Sequence, residues 1–370
     1  MNNKVKIGFV GVGDISGIYL ENLTNLFKEV EIIGVCDLVR ERAENAVARY
    51  NIPKLYNDMY ELFADPEVDI VLNITRPNEH YEVSKAALLA GKHVYSEKPL
   101  ASTIEKGEEL VRIAQEKGLL LGGAPDTYMG AAIQTSRKII EDGYIGTPIG
   151  ASAHLICHGP EDWHHDPEFF YKHGGGPMMD MGPYYVTALI NLLGGVKRIA
   201  GMTKISLPTR TITSQPQFGK VVDVEVPTYV TGVMEFESGA IGSLFTTFDV
   251  HYNHGEKLEI YGTHGTLIVP DPNGYGGTIK LLRPESGDYK IMPLCFDYPE
   301  NSRGLGLADM AKALQTGRDF RSSYKQTLHV LEVLESFRKS SESNSFIELK
   351  TKYTPGKPMT KHVLNGIFED

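Results

Sequence analysis

The first 120 residues alternate between two hydrophobic periodicities, and this alternation is the feature that most restricts the fold. Short apolar segments, such as Val5–Val10 and residues 31–36 and 68–74, are typical of strands buried on both faces. Segments with helical spacing, such as Arg40–Tyr50, lie between them. Strand and helix alternate about six times, which predicts a doubly wound parallel sheet.

The pattern changes after Gly122 and Gly123. A helical pattern covers residues 131–141. Between residues 149 and 282, longer segments then alternate apolar and polar side chains, and one of these segments is 221–226. Such segments, separated by turn signals, predict one large and mostly antiparallel sheet. The expected fold class is therefore α/β, with an N-terminal doubly wound sheet and a second α/β domain built on an open sheet.

The length of the chain fits two domains. A chain of 370 residues exceeds one ordinary domain and is short for three. We place the first domain at 1–123 and the second at 124–370. Two closing helices, at 305–315 and 324–341, are able to pack back on the first domain. We expect the two domains to form a cleft.

Composition excludes several classes of partner and compartment. The net charge is −10, from 37 basic and 47 acidic residues without a basic block, which disfavours nucleic acid and anionic membranes. Three scattered cysteines, Cys36, Cys157 and Cys295, favour neither a disulfide framework nor a cysteine zinc site. The N-terminus lacks a signal-peptide pattern, and no apolar run reaches the ~18 residues that span a bilayer. A cytoplasmic protein is therefore expected.

A glycine-rich turn, with the sequence GVGDIS, connects the first strand to the first helix. The first glycine permits the tight turn, and the second permits a pyrophosphate to approach the backbone at the helix N-terminus. The third position of the pattern is a serine, which is small enough for close packing of strand and helix. The expected dinucleotide contacts in this turn are Gly11, Gly13, Asp14, Ile15 and Ser16.

Asp37 ends the second strand, where an acidic residue is expected to bind the ribose hydroxyls of the dinucleotide. Its charge would repel a 2′-phosphate, which favours NAD over NADP. Arg40 and Arg42 follow closely and are within reach of such a phosphate, so NADP stays open. The alternative for these two arginines is a solvated helix face.

Lys98 lies just after the fifth strand, in the sequence Ser96-Glu97-Lys98-Pro99. Ligands of doubly wound sheets bind at the carboxyl ends of the strands, so Lys98 is expected to point at the ligand. Hydride transfer from an alcohol also requires a proton to move at oxygen. A lysine desolvated in a cleft suits this task, because burial disfavours its charged form.

Residues 174–185, with the sequence GGGPMMDMGPYY, form a second cluster. Pro183 suits the first turn of a helix that runs to Leu193. Asp180 then precedes the helix N-terminus, which favours its ionised form. Tyr184 follows about one turn later and is expected to share the pocket of Asp180. The alternative is that Asp180 only caps the helix.

Together these motifs resemble the Gfo/Idh/MocA family of sugar-type oxidoreductases. The resemblance rests on the turn at 11–16, Asp37, Glu97-Lys98-Pro99, the glycine-rich segment that leads to Asp180 and Gly182, and YGTHGTL at 261–267. It implies a Rossmann domain followed by an α/β domain whose open sheet commonly forms the interface of a dimer or tetramer. It also implies that Lys98 contacts substrate hydroxyls and nicotinamide, that the Lys98–Pro99 bond is cis, and that Asp180 binds sugar hydroxyls.

The expected cofactor is NAD, with NADP as the open alternative. The contacts that we expect outside the glycine-rich turn follow the carboxyl ends of successive strands. They are Asp37, Arg40, Thr75, Pro77, His80, Glu97 and Lys98.

One position departs from the family pattern: Tyr184 stands where the family frequently has a catalytic histidine, two residues after Gly182. Tyrosine has an ordinary pKa near 10, so it is a weaker base at neutral pH than histidine. Three alternatives stay open. Lys98 carries the proton transfer, a neighbour activates Tyr184, or another histidine replaces the missing one.

Histidines are concentrated between residues 154 and 173, around the single tryptophan. They are His154, His158, His164, His165 and His173. We favour His158 and His164 as substrate contacts, with Trp163 stacking on a sugar. The spacing matches no standard zinc pattern, so no metal is expected.

A second histidine pair, His251 and His254, lies with Asp249 before the strand at Tyr261. A substrate contact and a purely structural role are equally open for these three residues.

The leading hypothesis is a dehydrogenase that moves a hydride between nicotinamide and a ring hydroxyl or ketone of a sugar, glycoside or cyclitol. Lys98 relays the proton, while Asp180 and Tyr184 fix neighbouring hydroxyls. Two alternatives stay open: NAD-dependent glycoside cleavage through a transient 3-keto sugar, and a dinucleotide-binding regulator without catalysis.

Overall fold

A computed structural model describes residues 4–251 and 255–360 of the chain. Contacts divide it into two compact units. The first runs up to Ala131 and also contains Cys295–Leu328 and the segment from Gly356. The second contains Ala132–Leu294 and His329–Pro355. The predicted histidine His254 lies outside the described residues.

The first unit is built on a parallel six-stranded sheet in the order β3-β2-β1-β4-β5-β6. Side chains of the central strands, such as Ile7, Phe9 and Leu72, are fully buried, as apolar runs without alternation require. The strands are β1 (Val5–Val10), β2 (Val30–Cys36), β3 (Lys54–Leu55), β4 (Ile70–Asn73), β5 (His93–Ser96) and β6 (Leu121–Gly123).

Helices connect these strands, which confirms the predicted doubly wound fold. They are α1 (Ser16–Asn25), α2 (Arg40–Tyr50), α3 (Met59–Ala64), α4 (His80–Leu89) and α5 (Ile104–Lys117). A later helix, α9 (Leu305–Thr316), also belongs to this unit. The Asp126 carboxylate accepts hydrogen bonds from Gly304 N and Gly306 N at its N-terminus, at 3.0 and 2.9 Å.

The second unit is built on a nine-stranded sheet in which only β7 and β12 run parallel. The order is β16-β15-β14-β13-β7-β12-β11-β8-β17. The strands are β7 (Pro148–Ile156), β8 (Val196–Lys204), β11 (Tyr229–Phe236), β12 (Ile241–Thr247), β13 (Leu258–Gly262), β14 (Gly265–Val269), β15 (Ile279–Leu282), β16 (Lys290–Met292) and β17 (Ile347–Glu348). The large, mostly antiparallel sheet is therefore confirmed.

The segment predicted as a sheet strand at 221–226 lies elsewhere. Strands β9 (Thr209–Thr211) and β10 (Val221–Asp223) pair only with each other, in a separate ribbon. This prediction was wrong because an alternating pattern indicates only that one face of a segment is buried. It does not indicate which part of the protein buries that face. Here Val222 packs into a small cluster with Phe170, Tyr171 and Phe248.

Helices cover one face of the nine-stranded sheet. They are α7 (Gly176–Asp180), α8 (Gly182–Leu193) and α10 (Tyr324–Ser343). A further helix, α6 (Ala131–Glu141), precedes β7, and both α6 and α10 begin in the first unit. Phe337 of α10 is fully buried and lies directly against the backbone of β8 and β11.

The opposite face of this sheet carries exposed apolar side chains, among them Met202, Val233 and Ile241. Within the described residues, every helix is too short or too polar to cross a lipid bilayer.

Candidate active site

The predicted glycine turn lies between β1 and α1. Gly11 has a φ of +92°, and a Cβ there would lie 2.7 Å from the Ile74 carbonyl oxygen, so only glycine fits without strain. A Cβ at Gly13 would instead meet no protein atom within 4 Å. The Ser16 hydroxyl donates to Gly13 O at 2.6 Å, which ties the helix start to the turn.

The N-terminus of α1 is open to a ligand. Its N-cap residue is Ile15, whose hydrocarbon side chain cannot accept a hydrogen bond from the first helical N–H groups. Ile15 and Asp14 are both exposed. An uncapped helix start behind an open glycine is the arrangement that a pyrophosphate requires. The residues present therefore fit a dinucleotide at this position.

Asp37 is held at the end of β2 by backbone donors. Its Oδ2 accepts from Val12 N at 2.5 Å, and its Oδ1 accepts from Val39 N at 2.6 Å. The carboxylate therefore links the glycine turn to the second strand. Leu38, the next residue, is 97% exposed, which sequence reasoning missed. An exposed apolar side chain beside the ribose position suits contact with the adenine ring.

Arg40, the residue considered for a 2′-phosphate, is already engaged. Its Nε donates to Glu44 Oε1 and its Nη1 donates to Asn57 Oδ1, both at 2.9 Å. These partners commit the guanidinium to neighbouring side chains at the surface. The arrangement favours NAD, which carries an uncharged 2′-hydroxyl at the position where NADP carries the 2′-phosphate.

The segment after β4 is tied together by Asn73. The Asn73 Oδ1 accepts from Thr75 N and from the Thr75 hydroxyl, at 3.2 and 2.7 Å. Its Nδ2 donates to His80 O and Ser84 Oγ, both at 3.0 Å. Thr75 and Pro77 are half-buried at this carboxyl edge. His80 is buried, and both of its ring nitrogens face protein carbonyl oxygens, so it can act on a cofactor only through its neighbours.

Glu97 and Lys98 follow β5 at the same edge. Glu97 is buried, and its carboxylate accepts from the Tyr19 hydroxyl at 2.6 Å and from Lys98 N at 3.0 Å. Glu97 therefore fixes the backbone of Lys98, whose side chain is half-buried. The Lys98–Pro99 bond is cis, as the resemblance implied.

In the second unit, Asp180 and Tyr184 lie on either side of a helix break. Asp180 is the last residue of α7 and is half-buried, while Tyr184 is buried in the first turn of α8. Pro183 occupies the first turn of α8, as predicted. The N-cap residue is Met181, which has no side-chain capping bond, so Asp180 does not occupy the capping position.

Asp180 lies within electrostatic range of the end of β7. Burial raises the pKa of the Cys157 thiol, and the charges of Asp180 and Glu161 raise it further. Cys157 directly follows β7 and precedes His158. Asp180 and the predicted histidine segment therefore lie in the same region of the second unit.

The predicted substrate contacts lie in a segment that we call the recognition segment, residues 157–171 together with the β9–β10 ribbon. The His158 ring stacks on His251 at a centroid distance of 3.7 Å. Trp163 is 68% exposed and meets the His164 ring edge-on at 5.3 Å. His164 Nδ1 accepts from Asp166 N at 3.0 Å, which leaves its Nε2 as the donor in the neutral ring.

Of the remaining predicted histidines, His165 lies inside this segment, and His154 and His173 lie outside it. His154 is on β7, beside Phe245 of β12, on the open face of the sheet. His165 stacks on His164 at 4.8 Å. His173 is exposed just beyond the segment.

A buried ionic network anchors the recognition segment, and sequence reasoning missed it. Arg210, 3% exposed, donates from Nη1 to Glu161 Oε1 at 2.7 Å and from Nη2 to the Asp249 carboxylate. The Tyr171 hydroxyl donates to Glu161 Oε2. Glu161 O also accepts from Thr213 N at 2.8 Å. The partners of Arg210 lie 49 and 39 residues away along the chain, so no local pattern signals the contact.

Sequence models of protein families match both units. The model of the oxidoreductase family with an NAD-binding Rossmann fold matches residues 5–123. The model of the GFO/IDH/MocA C-terminal domain matches residues 133–268. Together they cover more than half of the chain.

Individual proteins agree with this assignment. The scyllo-inositol 2-dehydrogenase (NAD(+)) of Bacillus subtilis is 27% identical over 79% of this chain and 81% of its own length. The D-xylose dehydrogenase of Paenarthrobacter nicotinovorans is 26% identical over 70% of this chain and 68% of its own length.

Among solved structures, levoglucosan dehydrogenase in complex with NADH and levoglucosan has a TM-score of 0.79 at 19% identity. The match covers 94% of this chain and all of that one, and it shows the shared fold. The chain therefore belongs to the Gfo/Idh/MocA family, and it is an NAD-dependent oxidoreductase.

Proposed function

We propose that this protein transfers a hydride between the nicotinamide of NAD and a ring hydroxyl or ketone of a sugar, glycoside or cyclitol. The observation that carries the proposal is the fixed Glu97–Lys98–Pro99 segment at the carboxyl edge of the parallel sheet, the same edge as the open glycine turn. Relatives of this chain are named for inositol and xylose as substrates.

In this proposal the Lys98 amine hydrogen-bonds the reacting hydroxyl and takes its proton. A neutral amine accepts a proton from an alcohol only when it is positioned, and the bond from Lys98 N to Glu97 supplies that position. Because the Glu97 carboxylate is occupied by Tyr19 and by this backbone amide, we assign it to holding Lys98 and not to proton transfer.

We assign recognition of the other hydroxyls to the second unit. Asp180 accepts hydrogen bonds from neighbouring hydroxyls, and Tyr184 donates or accepts one. His158 and His164 are the further contacts that we propose, with Trp163 stacking on the apolar face of the ring. The assignment of 1–123 to the cofactor and 124–370 to substrate and assembly belongs to the same proposal.

The test is oxidation of a panel of inositols, pentoses and anhydrosugars, followed by absorbance of reduced nicotinamide. Lys98→Met should lower kcat by about a hundredfold or more, the usual contribution of a positioned proton acceptor. Lys117→Met is the matched control, because Lys117 lies exposed at the end of α5. Full turnover by Lys98→Met would contradict the mechanism. Sugar cleavage detected by chromatography, without net reduction of NAD, would favour the glycoside-cleaving alternative.

We also propose that copies of this chain associate through the open face of the nine-stranded sheet. Exposed Met202, Val233 and Ile241 make that face apolar, and such faces mark association surfaces. The mass in solution, measured by light scattering, should be that of a dimer or tetramer, and a monomer would contradict the proposal.

A cytoplasmic location is part of the same proposal. It rests on the cysteines, because no disulfide joins them within the described residues.

A further inference from the structure

His80 is a buried histidine whose two ring nitrogens both face acceptors. It is 1% exposed in the first turn of α4. Its Nδ1 lies 2.8 Å from Pro99 O, and its Nε2 lies 2.9 Å from Thr75 O. Both distances are those of ordinary hydrogen bonds, and both carbonyl oxygens can only accept.

The number of protons on the ring follows from these two contacts. A neutral imidazole has one N–H donor and one bare nitrogen, whichever tautomer it adopts. A bare nitrogen would face a carbonyl oxygen at less than 3 Å, lone pair against lone pair. Only the imidazolium form donates to both oxygens.

The charges around His80 act in both directions. Burial is the largest influence and lowers the pKa of His80 below its ordinary value; the bonds to Pro99 O and Thr75 O and the charge of Glu97 act in the opposite direction, and Lys98 lowers the pKa further. Glu97 is itself buried, and its hydrogen bonds come from the uncharged Tyr19 hydroxyl and a backbone amide. A buried carboxylate is costly unless hydrogen bonds and positive charge compensate it, and a cation at His80 contributes to that compensation.

We propose that His80 is a permanent imidazolium that holds the segments after β4 and β5 together and thereby positions Lys98. The two carbonyl groups that it joins belong to Thr75 and to Pro99, the residue next to Lys98. This inference rests on the proposed role of Lys98 as proton acceptor.

The backbone of His80 is fixed as firmly as its ring. His80 O accepts from Asn73 Nδ2 at 3.0 Å, and Asn73 also binds Thr75. His80 therefore cannot move without displacing the end of β4. A fixed positive charge near Lys98 also disfavours a second positive charge there, in opposition to the nearby Glu97 carboxylate. His80 keeps both protons during turnover, so it is a positioning residue.

His329 supplies an internal contrast. It is also buried, but its Nε2 accepts from Val196 N at 3.0 Å, so that nitrogen is bare. Its Nδ1 lies 2.7 Å from the Thr351 hydroxyl. Burial lowers the pKa of His329 to about 4. Within one protein, one buried histidine faces two acceptors and the other receives a hydrogen bond.

The first experiment is nitrogen NMR of the full-length protein, labelled with ¹⁵N-histidine, at neutral pH. His80 should show two protonated ring nitrogens, and His329 should show one protonated and one bare nitrogen. The histidine signal that is missing from the spectrum of the His80→Gln variant is the signal of His80. If that variant does not fold, contacts of the ring protons with Thr75 and Pro99 assign it in the unmodified protein. A bare nitrogen on His80 would overturn the inference.

The second experiment is the pH profile of kcat/KM for sugar oxidation. Removing the His80 charge makes protonated Lys98 more stable, so the acid limb of His80→Gln should move up by about one pH unit. His93→Gln is the matched control. His93 is a half-buried histidine of the same unit, and its Nδ1 accepts from Leu120 N at 2.9 Å. It should leave the acid limb in place.

The outcomes separate this inference from the proposed function. An acid limb that stays in place in folded His80→Gln would overturn the positioning role. If Lys98→Met keeps full turnover, the proposed mechanism fails and the positioning of Lys98 fails with it. The nitrogen spectrum still determines the charge on His80 in that case.

Discussion

Two regions of the molecule are built by different means. One is the carboxyl edge of the parallel sheet, with the glycine turn and Asp37, which we call the cofactor edge; the other is the recognition segment of the second unit. At the cofactor edge, backbone groups and short side chains hold the shape: Gly11 turns the chain, and Asp37 receives two backbone N–H groups. In the recognition segment, the long side chains of Arg210 and Glu161 form a buried ionic network. The first arrangement depends on backbone geometry and short side chains, whereas the second depends on a few charged groups. This difference predicts where single substitutions should damage the protein.

The largest expected effect is in the recognition segment. Arg210→Met leaves the Glu161 and Asp249 carboxylates buried without their cation, which costs about 3–5 kcal/mol. We expect the free energy of unfolding in urea to fall by that amount. The KM for sugar should rise, because Trp163 and His164 lose their support.

Arg210→Lys is the matched control, since it keeps the charge but loses the second arm that reaches Asp249. It should give an intermediate loss of stability. If Arg210→Met unfolds at the urea concentration of the unmodified protein, the network contributes nothing and the contrast between the two regions disappears.

A smaller effect is expected at the cofactor edge, where shape is set by backbone. Gly13→Ala adds a methyl group that meets no protein atom, so stability should be unchanged. The methyl group occupies the space that a pyrophosphate needs, and NADH affinity should fall by about ten- to a hundredfold. Fluorescence titration with NADH measures this.

Gly17→Ala provides the comparison, because a Cβ at Gly17, in helix α1, also meets no atom within 4 Å. That variant should bind NADH normally. Equal binding by Gly13→Ala and the unmodified protein would mean that the dinucleotide does not approach the turn at Gly13.

The same contrast explains which features of the fold and of the candidate site could be predicted from the sequence. The glycine turn, Asp37 and the position of Lys98 follow from local order: a strand, a turn and a helix specify where their ends lie. The six-stranded sheet and the large open sheet were confirmed for the same reason. Leu38 was missed because its unusual property is its exposure to solvent, and the exposure of a single leucine cannot be predicted from the sequence.

The structure of the recognition segment could not be predicted from local sequence patterns. Glu161 and Arg210 are 49 residues apart, and each resembles an ordinary surface charge in its local sequence. Their pairing exists only because the β9–β10 ribbon folds onto residues 157–171 and buries both. For the same reason residues 221–226 were assigned to the wrong sheet. Long-range burial of charge has no periodicity, so pattern analysis cannot find it.

The smallest expected effect concerns cofactor preference. Asp37→Ser removes the charge that repels a 2′-phosphate, but it leaves Arg40 bound to Glu44 and Asn57. We therefore expect the preference for NAD over NADP, measured as the ratio of kcat/KM values, to fall only about tenfold. Adding Glu44→Gln weakens the hold on Arg40 and should lower the ratio further. If Asp37→Ser alone gives equal use of both cofactors, Arg40 exchanges its partners freely, and side chains set specificity at the cofactor edge as they do in the recognition segment.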